Sequence, residues 1–196
     1  MYLVTCGASW VNGDYSWVEE VTEDTHLPNT PFLTDDNTDN TAYRIIVKNL
    51  LRCDTYTNLA CGGSPNQIQI NLLKELLDKH KHREDIIVLF GLLPFESDTQ
   101  LDELLSLNIK HLFLFNTVCN QSVPNSLFNS RDLLSLFSED DAQVNTKDWR
   151  NCEVYFRKMY KAFKRGLVNL DNHHMTKKAN AIIAYLIFNE IKSRFI

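Results

Sequence analysis

The apolar residues of the chain alternate between two periods. Tyr2 to Thr5 is a short apolar run closed by Cys6-Gly7, which reads as a strand followed by a turn. From 41 to 52, Tyr43, Ile46, Val47, Leu50 and Leu51 recur at helical spacing. Thr55 to Leu59 is rich in β-branched and aromatic types, is closed by Gly62-Gly63 and predicts a second strand. Gln67 to Lys79 predicts an amphipathic helix with Ile68, Leu72, Leu73, Leu76 and Leu77 on its apolar face. The unbroken run Ile86 to Phe90 is the pattern of a strand covered on both faces of a parallel sheet. A helix over Ser97–Leu107 and a strand over His111–Phe115 complete the alternation, which predicts an α/β fold with a parallel sheet.

The second half of the sequence predicts helices and little further strand. Arg150 to Arg165 spaces Val154, Tyr155, Met159, Tyr160 and Phe163 between charges. Thr176 is a suitable cap for a last helix with Ala179, Ile182, Ile183, Leu186, Ile187 and Ile191 on its apolar face. A variable segment at about 118–148 carries Leu127, Leu133, Leu134, Leu136 and Phe137, a pattern that fits packing on the sheet or on a partner. Asp24 to Asn40, with two prolines and many Asn, Asp and Thr, reads as a long surface loop. There is no internal repeat, and at 196 residues with 44% hydrophobic positions one domain over 1–196 is expected.

Composition narrows the class. No run approaches the roughly 20 apolar residues that span a bilayer, and MYLVTCGASW lacks the basic lead and apolar run of a signal peptide, so a soluble, cytoplasmic protein without a membrane partner is expected. The five cysteines (Cys6, Cys53, Cys61, Cys119, Cys152) form no CxxC pair, and neither a disulfide framework nor a zinc site is indicated. The net charge of −5 divides unevenly: seven acidic residues and no Lys or Arg lie between Glu19 and Asn40, against eleven basic and four acidic residues from Lys147 onward. The basic third lacks the aromatic interleaving of nucleic-acid modules, so no nucleic-acid partner is expected.

Ligands of open parallel α/β sheets bind where the strands' carboxyl ends meet their loops. The polar residues there are Gly7-Ala8-Ser9-Trp10, then Asn58 to Ser64, then Gly91-Leu92-Leu93-Pro94, while Asp171-Asn172-His173-His174-Met175-Thr176 precedes the last helix. A hydrolytic serine needs a histidine to take its proton, a carboxylate to orient that histidine, and donors for the oxyanion. Ser9 at a strand-to-helix turn lies where helix amides favour negative charge, and Gly63 lets a backbone N–H approach closely. Asp171 and His174 form a compact acid–base pair, with His173 as rival base. Cys6 and Cys61 follow the first two strands and offer alternative nucleophiles, although as small apolar residues both are expected to be buried. Gly13-Asp14-Tyr15-Ser16 lies too far into the following segment to supply the serine. Trp10 and Trp17 suit either a substrate pocket or the core. His80 and His82 read as a solvated helix end.

The order of these blocks resembles the SGNH (GDSL-type) serine hydrolases. Gly7-Ala8-Ser9 stands where that family has Gly-Asp-Ser; Asn58 to Gly63 matches its Asn followed by the oxyanion Gly; Asp171 to His174 matches its Asp-x-x-His. The similarity covers residues 1 to about 93 and about 170 to the end. It implies a flavodoxin-like three-layer α/β/α sandwich and an esterase that needs no cofactor and no metal, acting on a small-molecule or glycan ester, O-acetylated carbohydrate included. In that reading Ser9, Asp171 and His174 are catalytic, and Ser9 and Gly63 supply oxyanion N–H groups. Openings of the Gly-Cys-Ser-Trp kind are also found in bacteriophage SGNH-like proteins.

Three departures stand out. Ala8 replaces the family's Asp and Met175-Thr176 replaces Pro-Asn. More seriously, Leu93 occupies the position of the family's oxyanion Asn. Asn66, in the loop after the second strand, is the candidate substitute. A reading from a different class follows from Leu93: a weakly active or inactive SGNH-like fold serving as a binding or structural module in a virion or against a host factor.

Overall fold

The computed structural model describes residues 1–8, 42–95, 97, 99–119, 121–124, 126–144, 149–170 and 173–195. Strand β1 (Tyr2–Gly7) is followed by helix α1 (Tyr43–Leu50), β2 (Thr55–Asn58), α2 (Asn66–Lys79), β3 (Ile86–Leu92), α3 (Thr99–Ser106) and β4 (His111–Asn116). Short 3-10 turns at Leu127–Ser130 and Trp149–Asn151 flank α4 (Leu133–Ser138), and α5 (Glu153–Lys164) and α6 (Lys177–Phe195) complete the order.

The strands form a parallel sheet in the order β2-β1-β3-β4. These are the first four strands of the flavodoxin-like order 2-1-3-4-5. Ser126 makes a single parallel bridge to Leu114 on the outer edge of β4, where a fifth strand would run. The order reverses between β1 and β3, because the chain leaves β1 for β2 on one side and then crosses back to β3 on the other.

Side chains of a strand point to opposite faces in turn, and both faces of this sheet are covered. Leu3, Ile87, Leu89, Phe113 and Phe115 pack on one face with Tyr43 and Val47 of α1, α4, α5 and α6. Tyr2, Val4, Cys6, Val88, Phe90 and Leu92 pack on the other with Ile70 and Leu73 of α2 and Leu104 of α3. The result is a three-layer α/β/α sandwich. It explains why β3, whose seven residues are all buried, reads as an uninterrupted apolar run.

Three helical faces differ from those expected. On α2 the buried residues are Asn66, Gln69, Ile70 and Leu73, whereas Ile68 and Leu72 are exposed. On α6 Ala179, Ile183, Ala184, Ile187 and Ile191 face inward, and Ile182 and Leu186 face out. On α5 Tyr160 is exposed and Lys158 is buried with Tyr155, Met159 and Ala162. Lys158 Nζ donates to Ser135 Oγ at 2.6 Å, Ser135 Oγ donates to Asp132 Oδ2 at 2.5 Å, and the two charges are 3.7 Å apart with neither exposed. Asp132 also caps α4 by accepting the Ser135 N–H at 2.7 Å. The described residues of the 118–148 segment therefore pack on the sheet, with Leu127, Leu133, Leu134 and Phe137 in the core shared with α5 and α6. No helix among the described residues is long and apolar enough to cross a membrane.

Candidate active site

The strand order reverses between β1 and β3, and the carboxyl ends of these strands are where an open parallel α/β sheet places its ligand crevice. β1 ends at Gly7, whose φ of 141° suits a residue without a Cβ. Its N–H donates to Gln69 Oε1 at 3.0 Å, and Gln69 Nε2 donates to Ser64 Oγ at 2.9 Å. The fully buried Gln69 side chain thus joins the end of β1 to the loop after β2. The same loop is fastened to β1 by its backbone, with Leu59 N–H donating to Thr5 O at 2.8 Å and Cys61 N–H to Gly7 O at 3.1 Å. Asn58 Oδ1 accepts from Thr5 Oγ1 at 2.8 Å and from Ala60 N–H at 3.2 Å, which bends the chain away from the sheet.

Gly63 lies at the tip of this loop with φ 71°, and no atom comes within 4 Å of the place a Cβ would occupy. A left-handed backbone of this kind favours glycine over residues with a Cβ. Asn66 faces inward: Leu93 N–H donates to Asn66 Oδ1 at 3.1 Å and Asn66 Nδ2 donates to Leu93 O at 2.9 Å. The carboxamide pairs with Leu93 much as a neighbouring strand would, and one of its two Nδ2 hydrogens is committed there.

Two more amides continue the series across the sheet. Gln121 Nε2 donates to Leu93 O at 3.0 Å, Gln121 Oε1 accepts Phe95 N–H at 2.8 Å, and Asn116 Nδ2 donates to Gln121 O at 3.0 Å. Gln69, Asn66, Gln121 and Asn116 therefore link the carboxyl ends of all four strands. The sequence reading missed Gln69, Gln121 and Asn116. A signal existed for one of them, since Asn66, Gln69 and Leu73 follow helical spacing on the inward face of α2.

Residues 167–169 and 174–176 pair antiparallel as the two arms of a hairpin. Val168 and Met175 make an antiparallel bridge, Asn169 N–H donates to His174 O at 2.8 Å and Thr176 N–H donates to Leu167 O at 3.1 Å. Thr176 Oγ1 accepts Ala179 N–H at 3.3 Å, which realises the expected cap of α6. The hairpin lies at the crevice end because α6 begins beside α1: Asn180 Oδ1 accepts the Tyr43 N–H at 3.0 Å. His174 is half-buried with its backbone pinned by Asn169. His173 adopts φ 59°, its Nδ1 lies 3.2 Å from Tyr155 Oη, and its ring meets Tyr155 and Phe156 edge-on. Burial lowers the His173 pKa, so the neutral ring is favoured there.

Of the expected site residues, Gly63, Asn66 and His174 are placed at the carboxyl end of the sheet. Ser9 and Asp171 lie outside the described residues, as do Trp10, Trp17, Ser16 and the acidic stretch 19–40. The alternative thiols separate: Cys6 is fully buried, with its pKa raised by desolvation, whereas Cys61 is exposed, contrary to expectation, because the loop after β2 turns outward there. Among the described residues, no group of three or more His, Cys, Asp or Glu side chains is gathered to hold a metal.

No protein-family model matches the sequence, and no curated protein shows significant sequence similarity to it. Solved structures resemble it in fold. The esterase EstA from Pseudoalteromonas sp., in a structure inhibited by monoethylphosphonate, superposes with a TM-score of 0.50 at 12% identity, over 98% of this chain and 97% of that one. TesA superposes with a TM-score of 0.50 at 12% identity, over 98% of this chain and 99% of that one. The chain shares the flavodoxin-like α/β/α fold of these esterases.

Proposed function

We propose that the protein is an SGNH-type serine hydrolase acting on carboxylic esters. The observation that carries this reading is the placement of the blocks in the fold. The end of β1, two residues before Ser9, is tied through Gln69 to the loop after β2 that holds Gly63, and His174 lies just before α6, whose start is bonded to the start of α1; this arrangement supports the reading.

Ser9 Oγ attacks the ester carbonyl as His174 takes its proton, and Asp171 orients the imidazole and stabilises its charged form. The N–H groups of Ser9 and Gly63 hold the oxyanion, with the remaining Nδ2–H of Asn66 as a third donor. Collapse of the tetrahedral intermediate breaks the bond to the alcohol, which leaves with the proton from His174. Water then attacks the acyl-enzyme, His174 takes its proton and returns it to Ser9, and the carboxylic acid departs. The acidic stretch 19–40 follows Ser9 and disfavours anionic esters, so neutral esters, with O-acetylated glycans among them, are the proposed substrates. Neutralising Asp35, Asp36 and Asp39 should then raise turnover of anionic esters relative to neutral ones.

Labelling with a fluorophosphonate probe tests the proposal. Labelling and p-nitrophenyl acetate turnover should both disappear in Ser9→Ala and His174→Ala. A folded protein that neither labels nor hydrolyses any ester overturns it. One observation favours a second reading, a binding or structural module of a virion or host-interaction system: Leu93 stands where the family's oxyanion Asn would donate, and its own N–H is taken by Asn66. Absence of labelling would move the assignment to that reading.

A further inference from the structure

At the end of the sheet opposite the crevice, a cleft of about 450 Å³ lies between α1 and α6. Leu50 and Leu51 from the end of α1, Ile87 near the start of β3, and Phe188 and Ile191 of α6 line it. Its size falls in the range of small-molecule sites, about 300–1,000 Å³. The remaining lining residues are Met1, Arg52 and Lys192, all exposed.

The charges around the cleft are unbalanced. The Met1 ammonium is held by Asp54 at 3.0 Å and Asp85 at 3.2 Å, and Asp85 also pairs with Arg83 at 2.7 Å. Glu190, one turn before Arg194 on α6, pairs with that arginine. Arg52 and Lys192 take part in no ion pair among the described residues. Among the described residues the local carboxylates already have cationic partners, while Arg52 and Lys192 stand beside an apolar cavity without one.

We propose that this cleft binds a single-chain aliphatic carboxylate. The alkyl chain lies against Leu50, Leu51, Ile87, Phe188 and Ile191, and the carboxylate is held by the Arg52 guanidinium, whose planar fork suits two carboxylate oxygens, and by Lys192. The site is independent of the esterase reading, since no residue of the crevice lines it.

Titration with octanoate, decanoate and decan-1-ol below their aggregation limits tests it. Affinity should rise about fourfold for each added methylene, and decanoate should bind at least about tenfold more tightly than decanol. The Arg52→Gln/Lys192→Gln variant changes two exposed side chains, so it should keep the wild-type melting temperature and lose the preference for acid over alcohol. A decanoate carrying a terminal diazirine should crosslink to peptides containing residues 50–52 and 187–192, which separates this cleft from product binding in the crevice. No detectable decanoate binding, equal affinity for acid and alcohol, a preference that survives in the double variant, or crosslinks confined to other peptides would each overturn the proposal.

Discussion

Gln69 and Gly7 are 62 positions apart in sequence and share a buried hydrogen bond of 3.0 Å at the mouth of the crevice. The other end of the same carboxamide holds Ser64, the residue after Gly63. One side chain thus sets the separation between the end of β1 and the loop that carries Gly63. In Gln69→Met a side chain of similar length keeps the packing, but the Gly7 N–H loses its partner. The expected loss of stability is about 1–3 kcal/mol in urea unfolding. Ester turnover should fall through kcat with little change in KM. A variant as stable and as active as wild type would show that the bond sets nothing.

The Asp132–Lys158 pair predicts a different pattern. Both charges are fully buried and share Ser135, so removing one partner strands the other in the core. Lys158→Met alone or Asp132→Leu alone should cost about 3–5 kcal/mol, and the double variant should recover much of that loss. Denaturant midpoints of the two single variants and the double variant check this. Additive losses would mean that the two residues do not act as a pair.

His173 gives stability a pH dependence. Its folded pKa lies below the ordinary 6.5, because burial disfavours the charged ring, so the unfolded chain takes up the proton first as pH falls. The folded state should be undiminished above that value and lose stability on acidification through it. His173→Asn tolerates the left-handed backbone and removes the titration, so its stability should fall less steeply between about pH 7 and 5. Equal slopes for the two proteins would remove His173 as the cause.

The thiols should react in a fixed order. Cys61 is exposed, Cys152 is half-buried, and Cys6, Cys53 and Cys119 are buried, with desolvation pushing Cys119 up to about 12. A thiol reagent added to the native protein should modify Cys61 first, and the buried three only on unfolding. Since Cys61 stands two residues before Gly63, a bulky adduct there should block fluorophosphonate labelling, whereas Cys61→Ser should label normally.

β1 and β3 were legible because burial on both faces leaves little room for polar residues, as in Ile86 to Phe90, whereas the half-exposed edge strand β2 was marked by its β-branched and aromatic residues. Helical faces were less so. Periodicity in α2 marks Ile68 and Leu72, yet the helix turns Asn66 and Gln69 inward, because strand ends carry unpaired backbone groups that only polar side chains satisfy. Lys158 was hidden for a related reason, since a lysine between apolar residues reads as solvated until its partner, 26 positions earlier, is brought beside it. In the candidate site, the resemblance pointed to Gly63 in the loop after β2 and to His174 just before α6. It did not anticipate that Asn66 would pair with Leu93, because that contact depends on where β3 stops relative to α2.

The frame around the crevice is built from Gln69, Asn66, Gln121 and Asn116, and none of these amides gains or loses a proton in ordinary solution. Its shape should be as insensitive to ionic strength as to acid, unlike a mouth held by ion pairs. A bell or step in a rate–pH profile then reports the groups that exchange protons with substrate and the titration of His173 in the neighbouring hairpin, not a loosening of this amide frame.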